Sequence, residues 1–288
     1  MTPKPRVVAL VADGLYQRYL VSRLAAETEL VGVVVYAPPN ARGSMASRVS
    51  RYASPARLFR HLHARIAMRA YAKEAQPLLE KLFFDRGRAP AISDSVPQLR
   101  VDNINVPTAV EFVRGHAPDV VCVNGTNLLR EPMLALILGI RHGILNLHTG
   151  LSPYSRGGNC DLFMLLEGHP ELVGITIHHI DKGIDSGDIV ITARPELAVG
   201  DSYEMIEAKC FRLGIDMMLV AVRQIVESRA ERVKQWEAGK LFLRRTGYVY
   251  EPWQRVRVNQ MLARGLIADY LDQHEERDRG VRLVGRTD

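Results

Sequence analysis

The apolar positions of this chain fall into short runs broken by polar, glycine-bearing turns. Arg6–Ala12 reads RVVALVA and residues 30–36 read LVGVVVY. Both have strand length and are apolar on both faces. That pattern suits a parallel sheet covered on its two sides better than a half-wet antiparallel one. Between them, Leu15–Glu27 carries Leu15, Tyr19, Leu20 and Leu24 at helical spacing. The Asp13-Gly14 turn closes the first strand, where open α/β sheets place ligands. No GxGxxG spacing follows, which argues against a dinucleotide site. After residue 101 the rhythm returns, with a helix over 109–116 and a strand over 119–124. A helix over 131–138, a strand over 143–147 and a helix over 157–167 follow. Strands over 174–180 and 188–194 lead to a long helix over 201–228, capped by Asp201 or Ser202. Beyond it the pattern is broken, with one helix over 255–273 and a charged tail of fifteen residues expected to fray.

Residues 54–84 read as one or two long helices between the two α/β parts. Leu58, Leu62 and Ile66 form an apolar ridge beside a basic one of Arg57, His61, Arg65 and Arg69. The expectation is an apolar ridge packed on the core and a basic ridge in water. The rival reading is an anion site. The net charge of +6 is concentrated here: Arg42, Arg48, Arg51, Arg57, Arg60, Arg65, Arg69 and Lys73 occur with no acidic residue among them.

Composition narrows the classes. With 47% hydrophobic and 24% charged residues the chain is globular, not disordered. Cys122, Cys160 and Cys210 are odd in number, far apart and without a CxxC pair, so neither a disulfide framework, a zinc site nor any other metal is expected. No apolar run approaches the roughly 18 residues of a spanning helix, and the N-terminus lacks the long apolar region of a signal peptide. A cytoplasmic protein with no membrane partner is expected.

Two segments carry chemistry. Residues 146–157 read NLHTGLSPYSRG, and a strand there brings Asn146 and His148 to one face. Residues 174–189 read GITIHHIDKGIDSGDI, a strand, an acidic glycine-bearing loop and a second strand. Adjacent on a strand, His178 and His179 face opposite ways and do not share a metal. An amide, an imidazole and a carboxylate are the parts needed for acyl transfer to an amine. The amide can hold an oxyanion, the imidazole can move the proton, and the acid can orient the imidazole. No serine or cysteine nucleophile is needed if the acyl donor is already activated.

These segments resemble the signature of the 10-formyltetrahydrofolate-dependent formyltransferases. Asn146, His148, Gly150, Leu151, Pro153 and Gly157 fit its first part, and Asp185 in IDSGDI fits its second. Ser152 departs from it, standing where the family usually has a second Leu. The resemblance implies an α/β, Rossmann-like formyltransferase fold with a mostly parallel central sheet flanked by helices. It implies a catalytic domain over 1–228, from which a basic helical insertion at about 42–90 is a second departure, and a C-terminal extension over 229–288. It assigns catalysis to Asn146, His148 and Asp185, with Asp185 keeping His148 protonated or holding a relay water, and it implies that His178 lies near the site. Leu128, Leu129, Ile180, Asp181 and Asp185 would receive 10-formyltetrahydrofolate. Asp13, Tyr16, Tyr154 and Arg156 would contact the acceptor.

The acceptor implied is a primary amine on a small molecule, such as an amino sugar or a specialised metabolite, and an anionic one would suit the basic ridge. Methionyl-tRNA formyltransferases normally add a β-barrel domain, whereas the sixty residues after Ser228 look helical and irregular. Initiator tRNA, and nucleic acid in general, are therefore disfavoured. The extension has two readings, closing the active site or forming a homodimer. The alternative functions are a 10-formyltetrahydrofolate hydrolase and a non-catalytic polyanion-binding protein on the same fold.

Overall fold

The computed structural model describes residues 4–38 and 54–285. Arg42, Arg48 and Arg51 of the basic run lie outside the described residues, as does the side chain of Arg57. Seven strands form one sheet: β1 (Arg6–Ala12), β2 (Glu29–Tyr36), β3 (Gln98–Val101), β4 (Val120–Asn124), β5 (Ile144–His148), β7 (Ile175–His179) and β8 (Ile189–Ala193). Their order is β3-β2-β1-β4-β5-β7-β8. The pairs from β3 to β5 are parallel, whereas β7 runs antiparallel to both of its neighbours. The sheet is thus mostly parallel with one reversed strand.

The doubly apolar strand pattern has a direct consequence in the core. Val7, Ala9 and Val11 of β1 join one apolar cluster and Val8 and Leu10 join the other, one on each face of the sheet. Each fully buried Val or Leu contributes roughly 1.5–3 kcal/mol relative to exposure. Helices α1 (Leu15–Glu27), α2 (Pro55–Phe83), α4 (Cys160–Leu166) and α5 (Tyr203–Val226) contribute to the first cluster, and α3 (Pro107–Gly115) to the second. Ser202 caps α5 by accepting from the Met205 amide.

Several elements differ from the sequence expectation. Residues 133–139 form a 3-10 turn rather than an α-helix, following Pro132. The helix expected over 157–167 starts only at Cys160, because Ser155–Gly157 forms β6 and pairs with β9 (Lys240–Phe242). The helix expected over 255–273 is broken into α6 (Pro252–Ala263) and α7 (Leu266–Asp272) by Gly265 at φ +104°. Only glycine adopts that conformation without strain.

The tail does not fray over its described length. After α8 (His274–Asp278), Val284 accepts from the Thr192 amide at 2.8 Å and donates to Thr192 Oγ1 at 2.7 Å. Val233 exchanges two further backbone bonds with Ile189. The outer edge of β8 is covered by these contacts, and an exposed edge would invite pairing with another chain. Cys122, Cys160 and Cys210 are free and buried.

α2 also departs from expectation. It packs on α5 and α6 with Ala64 and Ala75 buried, while the ridge of Leu58, Leu62 and Ile66 is exposed.

Candidate active site

The strand order changes direction at β1, whose neighbours β2 and β4 lie on opposite sides, and a cleft opens beside the carboxyl ends of β4 and β5. Antiparallel pairing of β7 with β5 sets Asn146 directly opposite His178. Asn146 Nδ2 lies 3.1 Å from His178 Nε2 and donates to Asp185 Oδ1 at 3.3 Å. His178 Nδ1 lies 2.8 Å from the His179 carbonyl, and its Nε2 faces Asp185 Oδ1 at 3.4 Å as well as Asn146. The resemblance implies a histidine near the site at the position of His178, and here His178 lies against Asn146 and Asp185.

Asp185 reaches these side chains from the loop after β7. Its backbone sits at φ +47°, the left-handed region that a non-glycine residue adopts only when its surroundings impose it. Three contacts impose it here. The Gly157 amide donates to Asp185 Oδ2 at 3.0 Å. Gln235 Nε2 donates to the carbonyls of Asp185 at 2.7 Å and Gly187 at 3.1 Å. At Gly187 a Cβ would stand 1.8 Å from the His179 carbonyl oxygen, so only glycine lets the loop close. Gln235 is the residue sequence reasoning missed. It lies in the extension, fifty positions beyond Asp185, and nothing local to it signals the contact.

Protonation follows from this packing. Burial pushes the Asp185 carboxyl up, but His148, His178 and the Gly157 amide together hold it well below the usual carboxylate range. His148 is buried and its pKa is lowered, with burial outweighing the attraction of Asp185. Burial thus works against the expectation that Asp185 keeps His148 protonated, and the shift favours a neutral His148 beside an ionised Asp185. Their nearest atoms, Nδ1 and Oδ2, are 3.6 Å apart, too far for a direct hydrogen bond. His148 Nε2 faces the Ser155 carbonyl at 3.3 Å and the Cys160 Sγ at 3.6 Å. Burial drives the Cys160 thiol well above its ordinary range, so it is not a thiolate nucleophile. At Gly150 a Cβ would lie 2.5 Å from His148 Nε2, so a side chain there would displace the imidazole.

The cleft has a volume of about 480 Å³. Asn146, His148, His178 and Asp185 line it together with Leu128, Leu129, Ile180 and Asp181. Gln17, Asn159 and Phe211 line it as well, and among the described residues no lysine or arginine does. A second cavity of about 680 Å³ shares Leu128, Leu129, Gly183 and Ile184 with the first, and is cationic: Arg130, Arg156, Lys182 and Arg245 line it.

Of the four residues expected at the acceptor, Arg156 lines this second cavity, and the other three line neither. Asp13 pairs with Arg18 and Arg100. Tyr16 stacks on Phe211 at 4.1 Å, and burial raises its phenol above the ordinary range. The Tyr154 hydroxyl donates to the Gly280 carbonyl and accepts from the Arg282 amide, holding the tail. These three side chains are engaged in packing and tethering that the sequence does not reveal. The ridge residues Arg65 and Arg69 do not line the cleft either.

The model of the formyl transferase family matches residues 27–222. The chain belongs to the formyl transferase family. Methionyl-tRNA formyltransferase of Thermotoga maritima is 28% identical over 149 residues, which cover 51% of this chain and 46% of that protein. That of Anaeromyxobacter dehalogenans is 29% identical over the same length and shares. The chain thus matches under half the length of these relatives. Among solved structures, glycinamide ribonucleotide transformylase 1 of Symbiobacterium toebii superposes with a TM-score of 0.51 at 19% identity, covering 81% of this chain and 96% of its own. Phosphoribosylglycinamide formyltransferase of Anaplasma phagocytophilum gives 0.52 at 15% identity, covering 83% and 98%. Their likeness fixes the fold, a Rossmann-like α/β formyltransferase fold.

Proposed function

We propose that the protein is an enzyme that transfers a formyl group from 10-formyltetrahydrofolate to a primary amine of a small acceptor. The observation that carries the reading is the convergence of Asn146, His148 and Asp185, with His178, on one cleft in a chain of this family.

The cleft fits the donor in three respects. Leu128, Leu129 and Ile180 offer an apolar slot for a flat ring, and the backbone around Asp181 and Asp185 offers polar groups at its edge. The adjoining cationic cavity would take the carboxylates of the donor's tail. The donor supplies an activated formyl group. Asn146 would offer an N–H to the formyl oxygen as negative charge develops there. The attacking amine must lose a proton, and a neutral imidazole is the group able to accept it. The imidazolium so formed would be stabilised by the charge of Asp185 and would return its proton to the donor nitrogen as the formyl carbon–N10 bond breaks and tetrahydrofolate leaves. In this reading Asp185 contributes by being charged before the proton arrives.

The acceptor end would lie at Gln17, Asn159 and Phe211. An aromatic face, two carboxamides and no cation among the described residues suit a neutral, hydroxyl-bearing amine such as an amino sugar better than a phosphate. A Mycobacterium tuberculosis protein to which sugar N-formyl transfer has been attributed shares the fold, with a TM-score of 0.51 at 19% identity. The test is release of tetrahydrofolate from 10-formyltetrahydrofolate in the presence of a panel of amines. Amine-dependent release that disappears in His148→Ala supports transfer. Release in buffer alone identifies a hydrolase, and no release with any amine removes the assignment.

A further inference from the structure

α2 is built the wrong way round for a helix that covers a core. A surface helix normally turns its large apolar side chains inward. Here the inward side carries Ala64 and Ala75, 1% and 0% exposed, while Leu58, Phe59, Leu62 and Ile66 are 39%, 73%, 48% and 69% exposed. At about 100° per residue, Leu62 and Ile66 each lie roughly 160° around the axis from Ala64. Four large apolar side chains thus share the face turned away from the protein. Exposed apolar clusters of this kind on a folded protein mark contact sites.

The charge around them is of one sign. Arg60, Arg65, Arg69 and Lys73 are exposed, and no acidic residue occurs in the helix before Glu74. Apolar side chains rimmed by cations match an anionic lipid surface, where the chains enter the acyl boundary and the cations meet phosphates. A second copy of the chain would bring two basic faces together. A nucleic acid would satisfy the cations and leave the apolar four in water.

We propose that the N-terminal half of α2 docks the protein peripherally on an anionic membrane. Leu58, Phe59, Leu62 and Ile66 are the inserted residues, and Arg65, Arg69 and Lys73, on the same outward side, are the phosphate contacts. None of these seven lines the cleft, so the inference stands apart from the proposed transfer reaction. Among the described residues no helix is long and apolar enough to cross a membrane, which bears on spanning and not on surface binding.

The test is co-sedimentation of the full chain with vesicles of phosphatidylcholine alone and of phosphatidylcholine mixed with phosphatidylglycerol. Binding to the mixed vesicles is expected to be stronger by at least about tenfold, and Arg65→Gln with Arg69→Gln should lower it about twenty-five-fold, at about fivefold per charge. Phe59→Ser with Ile66→Ser should abolish pelleting while thermal unfolding and amine-dependent tetrahydrofolate release keep their parental values. Phe59→Trp gives a readout that does not depend on loss, because its emission should shift to the blue when mixed vesicles are added. Equal affinity for both vesicle types, or unchanged pelleting of the double serine variant, overturns the proposal. So does a dimer that the serine pair dissociates, or binding to duplex RNA lost with the same substitutions.

Discussion

Asp185 holds a charge in a place where burial opposes it, and the contacts that make this possible are individually countable. Replacing it by Asn keeps the shape and removes the charge that a protonated His148 would need. Asp185→Asn is expected to lower kcat/KM by about 10² to 10⁴, measured as amine-dependent tetrahydrofolate release. Its stability effect has a definite sign. A carboxyl held below its ordinary value of 3.8 stabilises the fold above that pH, and the contribution is lost as pH falls toward the folded value. The parent's advantage over the variant in unfolding free energy should therefore shrink below about pH 4.

His179 behaves in the same direction for another reason. Burial, Arg232 and His178 push its imidazole from 6.5 to about 4, so the fold prefers it neutral. Stability is lost as pH falls from about 6.5 to 4, by up to about 3 kcal/mol. His179→Phe should flatten that part of the curve of melting temperature against pH. Sequence reading excluded a metal shared by the two histidines and, by resemblance, expected His178 near the site. The register of β7 is what sets His178 opposite Asn146.

The elements divide by how far their partners lie along the chain. β1 and β2 were legible because strands apolar on both faces imply a covered sheet whatever the neighbours are. β6 and β9 were illegible. Each has three residues, and they pair only because the extension crosses back over the loop after β5. α2 was legible as a helix but not in orientation, because two faces both carry apolar residues and only contact with α5 and α6 selects one. The loop from β7 to β8 shows how an element is set by remote contacts. Gln235→Ala removes two donors to its carbonyls and should cut kcat about ten- to hundredfold through misplacement of Asp185. Steady-state kinetics and a melting curve separate this from global unfolding. Gly187→Ala should be more severe, lowering both the melting temperature and the activity, because no side chain fits against the His179 carbonyl.

Across the whole molecule, residues 229–285 supply Gln235 to the Asp185 loop, Leu243 to the cleft, β9 to β6, and Val233 and Val284 to the edge of β8. A chain ending at residue 228 is therefore expected to melt lower, to associate through the bared edge of β8 and to lose formyl transfer. Circular dichroism, light scattering and the release assay check the three outcomes, and an active, monomeric 1–228 chain would mark the extension as an appendage. The sequence by itself determined the sheet's covered strands, the family signature and the candidate trio of Asn146, His148 and Asp185, because each is written in a short stretch whose periodicity or spacing is local. The tertiary structure alone decided that burial favours a neutral His148, that Gln235 holds the loop, that Asp13, Tyr16 and Tyr154 are spent on packing and tethering, and that α2 faces outward. Desolvation, chain crossing and the choice between two helix faces depend on what lies nearby in space, and no local stretch of sequence encodes that.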